Sequence, residues 1–579
     1  MDINTTTGPI AKLFYGNQEQ FIIPAYQRRY SWQNKQINQL FSDMKNLGND
    51  ETHFMGSVVC LVQSYKAGIN KLELVDGQQR MTTLVLVIDT IKDRFETLGM
   101  KREADRLEDL ISCGDYDESG SKLVLGDLDK DDFRKILNLD KVDTVVNKQL
   151  YEAYQTIKAN LDKMSDEELI IFKDKLLNRT IIVRLDVSKS RDAFKLFETI
   201  NNRGLSLSPT DIIKNFLLGH ASMIDEVTLD KVKKSWTKII VNMDGRKLDD
   251  FFRQYLMGEI GRKVTFTMLT DTFKKYYIDN VQNTNLLGGY EIIDEEIESG
   301  EDVKERRRIT PSTFLSQLEQ ASLIYSKILN QTFDNNDINK AIRRLEMIRS
   351  FASYTFVLNL MQRELDTKTK VKVLEILQVF MIRRNICSYQ TGELDELFAK
   401  MCMLEDDNLV ANVKEFVLQD DRMPSDKLFG QSIVTSDFYG QQINRAKCML
   451  EAIETSLMVS DNEKDINWDK VHLEHIIPQT ITTKRSRDEE GGDWVIYLGS
   501  DSIEEHPKFV SKIGNMTLLA GDKNIQASNN PFASKREIYK NKTEFKITNN
   551  LAKGNDFNFD SVTERSKKIA KDSVKIWKF

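Results

Sequence analysis

The most constraining stretch of this sequence lies near its C-terminus, where the residues VHLEHIIPQT run from position 471 to position 480. Pro478 has no backbone N–H, and the two isoleucines before it are β-branched, so the stretch is predicted to be a short strand ending at the proline rather than a helix. This strand carries the carboxylate of Glu474 next to the imidazole of His475. An acid and a histidine at the end of a short strand indicate a site for hydrolytic chemistry.

A second stretch further along the chain, KIGNMTLLAGDKNIQASNNPFASK, supplies amide side chains. Its pattern predicts a turn at Gly514 and Asn515, a short apolar strand from Met516 to Ala520, and a loop that holds Asn524. A helix is predicted to start near Pro531, because proline at the first helical position loses no needed hydrogen bond. Strand, hairpin, strand and helix in this order resemble the ββα-metal fold of HNH endonucleases.

The side chains of this pattern suit hydrolysis of a phosphodiester. Histidine is the side chain whose ordinary pKa lies near neutral pH, so His475 is predicted to be the general base that deprotonates water. Carboxylate and amide oxygens suit a hard ion such as Mg²⁺ or Mn²⁺, so Glu474 and Asn524 are predicted to be metal ligands. Asn515 is predicted to be the second catalytic residue, which ties the hairpin to the loop that carries His475. His472 points to the other face of a strand, and its contact with metal or phosphate stays open.

Two histidines three residues apart also have simpler explanations. They are compatible with two structural histidines or, on a helix, with a zinc pair. The sequence contains no HExxH pattern, and no third histidine or cysteine lies near them. The combination of both stretches therefore carries the nuclease interpretation, and the histidine pair alone does not.

Composition limits the class of protein. A chain of 579 residues with 40% hydrophobic residues, 30% charged residues and eight prolines is predicted to form several helix-rich globular domains. It has no apolar run of membrane-spanning length and no recognisable signal peptide, so we expect a cytoplasmic protein without a membrane partner. The five cysteines form no CxxC pattern, which indicates neither a disulfide framework nor a structural zinc site.

The net charge of −7 does not indicate nucleic-acid binding by the whole chain, although an average can hide a local basic surface. From residue 535 to the end, twelve Lys and Arg stand against six Asp and Glu. A solvated amphipathic helix and a surface that contacts phosphate explain this excess equally well. Candidate contacts to DNA phosphates are Lys535, Arg536 and the strand residue His472.

A glycine turn in the N-terminal part of the chain is the second informative feature. KLELVDGQQR is predicted to be a strand that runs into a turn at Asp76 and Gly77, and a helix follows. A strand, a glycine turn and a helix start offer backbone N–H groups and a positive dipole end to an anion. Gln78 and Gln79 add amides, and Arg80 adds a forked cation. No Walker motif occurs, and an ordinary tight turn is the alternative.

Two further segments carry polar groups without an evident structural task. Arg28 lies between aromatic residues in PAYQRRYSW, where it could bind a phosphate or pair with an acid. In FETINNRGLSLSPTDIIKN, Asn201 and Arg203 lie in a loop between two predicted helices. Ser208 and Asp211 form a capping-box pattern, which predicts the start of the second helix.

Taken together, PAYQRRYSW, LVDGQQRMTTL and FETINNRGLSLSPTDIIKN resemble the N-terminal module of the GmrSD family, which comprises bacterial modification-dependent (type IV) restriction endonucleases. EHIIP and GNMTLL resemble the HNH-type nuclease module at the C-terminus of that family. The resemblance implies an α+β, predominantly helical chain in which both modules are fused. It predicts a ParB/sulfiredoxin-like nucleotide-binding domain over residues 1–220, a helical coupling domain over 221–455 and an HNH-type ββα-metal nuclease domain over 456–579.

The resemblance also implies an activity. The N-terminal module would bind and hydrolyse a nucleoside triphosphate (GTP, UTP, ATP and CTP are not distinguished) through the turn from Asp76 to Arg80, with Arg28, Asn201 and Arg203 nearby. Nucleotide would control cutting of modified phage DNA by the nuclease module, and the chain could act as a homodimer. Two alternatives stay open: a nuclease toxin acting on RNA or host DNA, and a ParB-like nucleotide-dependent DNA-binding switch with a degenerate nuclease tail.

Overall fold

The computed structural model describes residues 3–15, 18–48, 50–66, 68–113, 120–201, 208–287, 308–458, 466–483, 487–488 and 492–578. The chain divides into two units. The first consists of Met1–Arg253 and Val264–Leu323, and the second consists of Gln254–Lys263 and Ile324–Phe579. The predicted division into three domains is a different partition of the chain, and it stays a prediction.

A mixed sheet of six strands is the framework of the first unit. Its strands are β1 (Ile3–Pro9), β2 (Glu19–Ile22), β3 (His53–Lys66), β4 (Ile69–Asp76), β5 (Leu123–Val124) and β6 (Thr180–Val187). In space they lie in the order β1, β6, β3, β4, β2, β5. β3 pairs antiparallel with β4 and parallel with β6, while β2 runs parallel to both β4 and β5. The sheet therefore brings the end of β4 into its interior.

Helices supply most of the first unit's core. Helix α3, which follows β4, has a nearly continuous buried surface along its first four turns, because its sequence MTTLVLVI is apolar or small on every side. The α-helices between residues 10 and 330 are α1 (Ile10–Phe14), α2 (Asn34–Asn46), α3 (Gln78–Thr97), α4 (Lys101–Ile111), α5 (Asp127–Leu137), α6 (Lys148–Leu161), α7 (Asp166–Asp174), α8 (Ser190–Asn201), α9 (Pro209–Ile224), α10 (Glu226–Asn242), α11 (Leu248–Ile260), α12 (Leu269–Asn280) and α13 (Pro311–Asn330).

The second unit is mostly helical and contains two small sheets. Its strands are β7 (Val471–His475), β8 (Arg487–Asp488), β9 (Gly492–Asp493) and β10 (Met516–Ala520). Its remaining helices are α14 (Asn336–Met347), α15 (Tyr354–Gln362), α16 (Thr367–Ile386), α17 (Leu394–Met401), α18 (Leu409–Leu418), α19 (Asp426–Thr435), α20 (Ile443–Leu457), α21 (Trp494–Leu498), α22 (Ser502–Phe509), α23 (Gly521–Ala527), α24 (Phe532–Asn541), α25 (Lys546–Asn549) and α26 (Phe559–Ile576).

The local predictions for both stretches are largely confirmed. The α+β, predominantly helical class holds, and β7, β10 and α24 occur in the predicted order. The strand before the glycine turn and the helix after it are present, and the Ser208 hydroxyl caps α9 by accepting from the backbone N–H of Asp211 at 3.2 Å. One prediction is wrong: Asn524 does not lie in a loop, because residues 521–527 form helix α23 directly after β10. Within the described ranges, every helix is too short or too polar to cross a lipid bilayer.

Candidate functional site

The two strands β7 and β10 form an antiparallel pair whose register fixes the direction of each side chain. Glu474 pairs with Thr517, and His475 pairs with Met516. Because side chains alternate along a strand, Glu474 shares a face with His472, and His475 lies on the opposite face. The structure thus separates the carboxylate from the imidazole beside it, and the prediction for His472 relative to His475 agrees with this register.

Asn515 fastens the chain directly after His475. Its Oδ1 accepts from the backbone N–H of Ile477 at 2.8 Å, and its Nδ2 donates to the carbonyl of Ile477 at 2.9 Å and to that of Val510 at 3.1 Å. Its own carbonyl accepts from the backbone N–H of Ile476 at 2.9 Å. Asn515 is fully buried. The predicted tie between the hairpin and the His475 segment is therefore present, while a catalytic role for Asn515 stays a prediction.

Helix α26 holds the turn that carries Asn515. The Nη1 of Arg565 donates to the carbonyls of Gly514 at 2.8 Å and Met516 at 2.5 Å. The backbone N–H of Gly514 donates to the Ser566 hydroxyl at 3.1 Å. A Cβ added to Gly514 would lie 2.0 Å from the carbonyl oxygen of Val562, so only glycine allows this approach. No sequence motif indicated the role of Arg565, because the residue lies outside both stretches.

Lys535 has a different task from the predicted one. Its ammonium is fully buried and donates to Glu474 Oε1 at 2.5 Å and to the carbonyl of His475 at 2.7 Å. Tyr539 also donates to Glu474 Oε1, at 3.3 Å. An ammonium without solvent exposure cannot reach a DNA phosphate, so the predicted phosphate contact of Lys535 is wrong. Lys535 instead positions both residues of the Glu-His pair.

Burial governs the ionisation of this cluster. It raises the pKa of the Glu474 carboxyl and lowers the pKa of the Lys535 ammonium, and the ion pair between them opposes both shifts. Burial, together with the charges of Lys535 and His506, lowers the pKa of His475 to about 4. The His475 imidazole is therefore neutral near neutral pH, which is the form that accepts a proton.

The oxygen atoms near β7 are compatible with a hard divalent cation. The Oδ1 of Asn524 is buried and has no hydrogen-bond partner, and helix α23, which carries it, packs against β7. No described residue donates to Oε2 of Glu474. His472 is exposed and lies next to Gly521, at the start of α23. Within the described ranges no group of three or more His, Cys, Asp and Glu side chains could hold a metal ion.

Arg536, another predicted contact to DNA phosphate, is partly accessible to solvent. The Nε of Arg536 donates to the carbonyl of Ala552 at 3.0 Å, and the residue is half-buried. Contacts of Arg536 and His472 with phosphate stay predictions.

The glycine turn of the first unit has the predicted geometry. Gly77 adopts a φ of 93°, in the left-handed region, and α3 begins at the next residue. Arg80 Nη2 lies 3.2 Å from Asp76 Oδ2, and its Nη1 occupies space that only Gly56 leaves open, since a Cβ there would lie 2.0 Å from it. Burial raises the pKa of Asp76, and the charge of Arg80 opposes this shift.

The two glutamines of this turn, Gln78 and Gln79, differ in their hydrogen bonding. Gln79 accepts from the backbone N–H of Ser31 at 2.8 Å and donates to the carbonyl of Arg29 at 3.3 Å, so both ends of its amide hold the arginine-rich turn. The Oε1 of Gln78 is buried without a partner and lines a cavity together with Arg28. Gln78 is thus available to a ligand, whereas Gln79 is occupied.

A buried lysine absent from the predicted site connects these elements. Lys214 on α9 donates to Gln27 Oε1 at 2.5 Å and lies 3.6 Å from Asp211 Oδ1. Gln27 in turn donates to the carbonyl of Val75 at 2.9 Å, at the end of β4. Arg28 lies 3.8 Å from Asp211. The only sequence signal was a lysine inside the apolar run IIKNFLL.

The structure leaves two predicted nucleotide contacts untested. Asn201 is the last residue of α8, and its side chain is not described. Arg203 lies outside the described residues.

Models of known protein families match the parts of the chain that contain the two candidate sites. Residues 10–218 match the model of the N-terminal domain of GmrSD restriction endonucleases, and residues 423–572 match the model of the C-terminal domain of the same family. The glycine turn lies inside the first match, and the Asn515, Lys535 and Arg565 contacts lie inside the second. No curated protein matches the chain.

The buried pair of Lys535 and Glu474 generates a stability prediction. Lys535→Met or Glu474→Gln alone should each cost about 3–5 kcal/mol of unfolding free energy, because each leaves one buried charge uncompensated. The double variant should cost clearly less than the sum. Urea unfolding of metal-free protein measures this coupling. The exposed pair Lys567 and Glu564, 2.7 Å apart on α26, is the control and should show no measurable coupling. Additive costs at Lys535 and Glu474 would contradict the pairing.

His475 should titrate at an unusually low pH. In metal-free protein, NMR of labelled histidine should give a pKa of about 4 instead of the ordinary 6.5. Because the unfolded chain then binds a proton that the folded chain does not, His475 should reduce stability progressively as the pH falls from 6.5 towards 4. His475→Gln assigns the signal and should remove this contribution. A midpoint near the ordinary value would show that the imidazole is not buried as described.

Proposed function

Because the chain belongs to the GmrSD family of restriction endonucleases, we propose that it is an NTP-linked, modification-dependent DNA endonuclease of bacterial anti-phage defence. The second unit cuts the phosphodiester, and the first unit binds a nucleoside triphosphate and controls the cutting. The observation that carries the nuclease assignment is the Asn515 tie, which fixes the chain beside a neutral His475.

His475 is the general base. Its neutral imidazole takes a proton from the attacking water, and its low pKa keeps it in this form throughout the physiological range. The Asn515 amide fixes the segment after it, and Lys535 holds its carbonyl oxygen. Because these contacts hold the backbone directly after His475, the imidazole has a limited set of orientations before substrate arrives.

Glu474 and Asn524 are the proposed ligands of a Mg²⁺ or Mn²⁺ ion. The unpaired Oδ1 of Asn524 and the Oε2 of Glu474 are the oxygens that support this assignment. When bound, the ion neutralises charge on the scissile phosphate and on the leaving oxygen. Lys535 pairs with the other oxygen of Glu474, and its charge opposes the upward shift of the Glu474 pKa that burial causes.

In the first unit the turn at Gly77 is the proposed nucleotide site. The N-terminus of the long helix α3 directs backbone N–H groups towards an anion, and Arg80 adds a fixed guanidinium beside Asp76. The unpaired Oε1 of Gln78 supports a ligand that donates a hydrogen bond. GTP, UTP, ATP and CTP all satisfy this chemistry.

Replacing the general base tests the nuclease assignment. His475→Ala should reduce cleavage of modified phage DNA by about 10²–10⁴-fold, the usual contribution of a general base, and should leave nucleotide binding unchanged. His53→Ala removes a half-buried imidazole on β3 that belongs to neither candidate site, so it serves as the control and should retain cleavage. Rates are measured with modified DNA, unmodified DNA and RNA, with Mg²⁺ and with EDTA. Wild-type cleavage by the His475→Ala chain would exclude the assignment.

Removing the guanidinium beside Asp76 tests the nucleotide site. Arg80→Gln should weaken binding of the preferred nucleoside triphosphate at least tenfold, about 1.4 kcal/mol, because a charge-assisted contact to phosphate is lost. Each of the four nucleotides is titrated in turn by calorimetry. Arg106→Gln on α4, whose partner is Glu103 at 3.0 Å, removes the same charge from the same unit and should not change affinity. Equal affinities for the Arg80→Gln and wild-type chains would refute the site.

A further inference from the structure

Helix α26 carries a line of lysines on its exposed side. Lys568, Lys571 and Lys575 follow one another at spacings of three and four residues, which places them on one face of a helix. All three are exposed, and none forms an ion pair with a described residue. Lys567 differs, because its ammonium lies 2.7 Å from Glu564. With a rise of about 1.5 Å per residue, the three lysines extend over roughly 10 Å.

The other side of α26 is fixed in the core. The buried residues of this helix are Val562, Ser566, Ile569, Ala570 and Ser573. At about 100° per residue these positions lie opposite the three lysines. The ammonium groups therefore point into solvent from a helix that cannot rotate without exposing its apolar side.

The same helix holds the nuclease turn. Arg565 and Ser566 bind the backbone around Gly514, and the adjacent Asn515 ties down Ile477 after His475. A ligand that binds the exposed side of α26 is thus attached to the element that positions the candidate base. Each of these contacts joins a side chain of one element to the backbone of the next, so the link between α26 and the His475 segment consists of specific hydrogen bonds.

We propose that Lys568, Lys571 and Lys575 form a stripe that binds the phosphate backbone of duplex DNA and holds it for the nuclease. This proposal rests on the proposed function. A chain with a net charge of −7 repels DNA on average and needs a local cationic surface to retain it. A stripe of roughly 10 Å matches about three base-pair steps of one strand, and its contacts carry no sequence information.

Salt dependence of DNA binding tests the stripe. The full chain with His475→Ala binds a labelled, unmodified 30-base-pair duplex without cutting it, and the association constant is measured over a KCl series. Adding K568Q, K571Q and K575Q should lower the steepness of the log–log plot by about 0.9 for each lost phosphate contact, or by about 2.7 in all. K568R, K571R and K575R together keep the charge and should keep the slope.

The control removes three exposed lysines from helices α14 and α16 of the same unit, as K340Q, K368Q and K372Q, and should leave the slope unchanged. Three results would contradict the proposed DNA contact of the stripe. They are an unchanged slope in the stripe variant, an equal decrease of the slope in the control, and no DNA binding by the His475→Ala chain. Cleavage by the wild-type chain is measured separately. A lower slope for the stripe variant in a chain that never cuts DNA would support the stripe and reject the nuclease, so the two failures are distinguishable.

Discussion

The candidate nuclease site depends on one buried amide. Both ends of the Asn515 side-chain amide form hydrogen bonds with the backbone of Ile477. Each lost bond would leave a buried polar group unsatisfied, at a cost of about 1–3 kcal/mol. The turn itself is held from behind by Arg565 on α26, so the amide, the turn and the helix form one continuous support for His475. This support explains how a short two-stranded sheet, unstable by itself, can present a base in a fixed place.

The two faces of β7 have different electrostatic environments. On one face Glu474 lies in a buried pair with Lys535, and on the other face burial keeps His475 neutral. Lys535 connects the two, because it donates to the carboxylate of one residue and to the carbonyl of the next. Removing it would therefore affect the acid and the base together. In the first unit Lys214 has a comparable position, since it joins α9 to the segment before the glycine turn.

Much of the local structure follows from the sequence. Gly77 in the left-handed region, the strand before it, the helix after it and the cap at Ser208 are each specified by neighbouring residues. The order of β7, β10 and α24, and the contact of Asn515 with the chain after His475, also agree with the sequence pattern. The loop predicted for Asn524 was wrong, because an amide-rich segment with Gly521 at its start can still form a short helix when it packs against β7.

The sequence alone therefore determined the chemical groups available to this protein and the elements that carry them, because turns, caps and strand alternation depend on adjacent residues. It also indicated the family to which both modules belong. The tertiary structure decided which charged groups are buried. Residue type alone does not distinguish Lys535, Lys214 and Arg565 from lysines and arginines at the surface. Their hydrogen-bond partners lie far from them along the chain. Desolvation acts through three-dimensional packing, so no local pattern distinguishes a lysine that contacts DNA from one that holds a buried carboxylate.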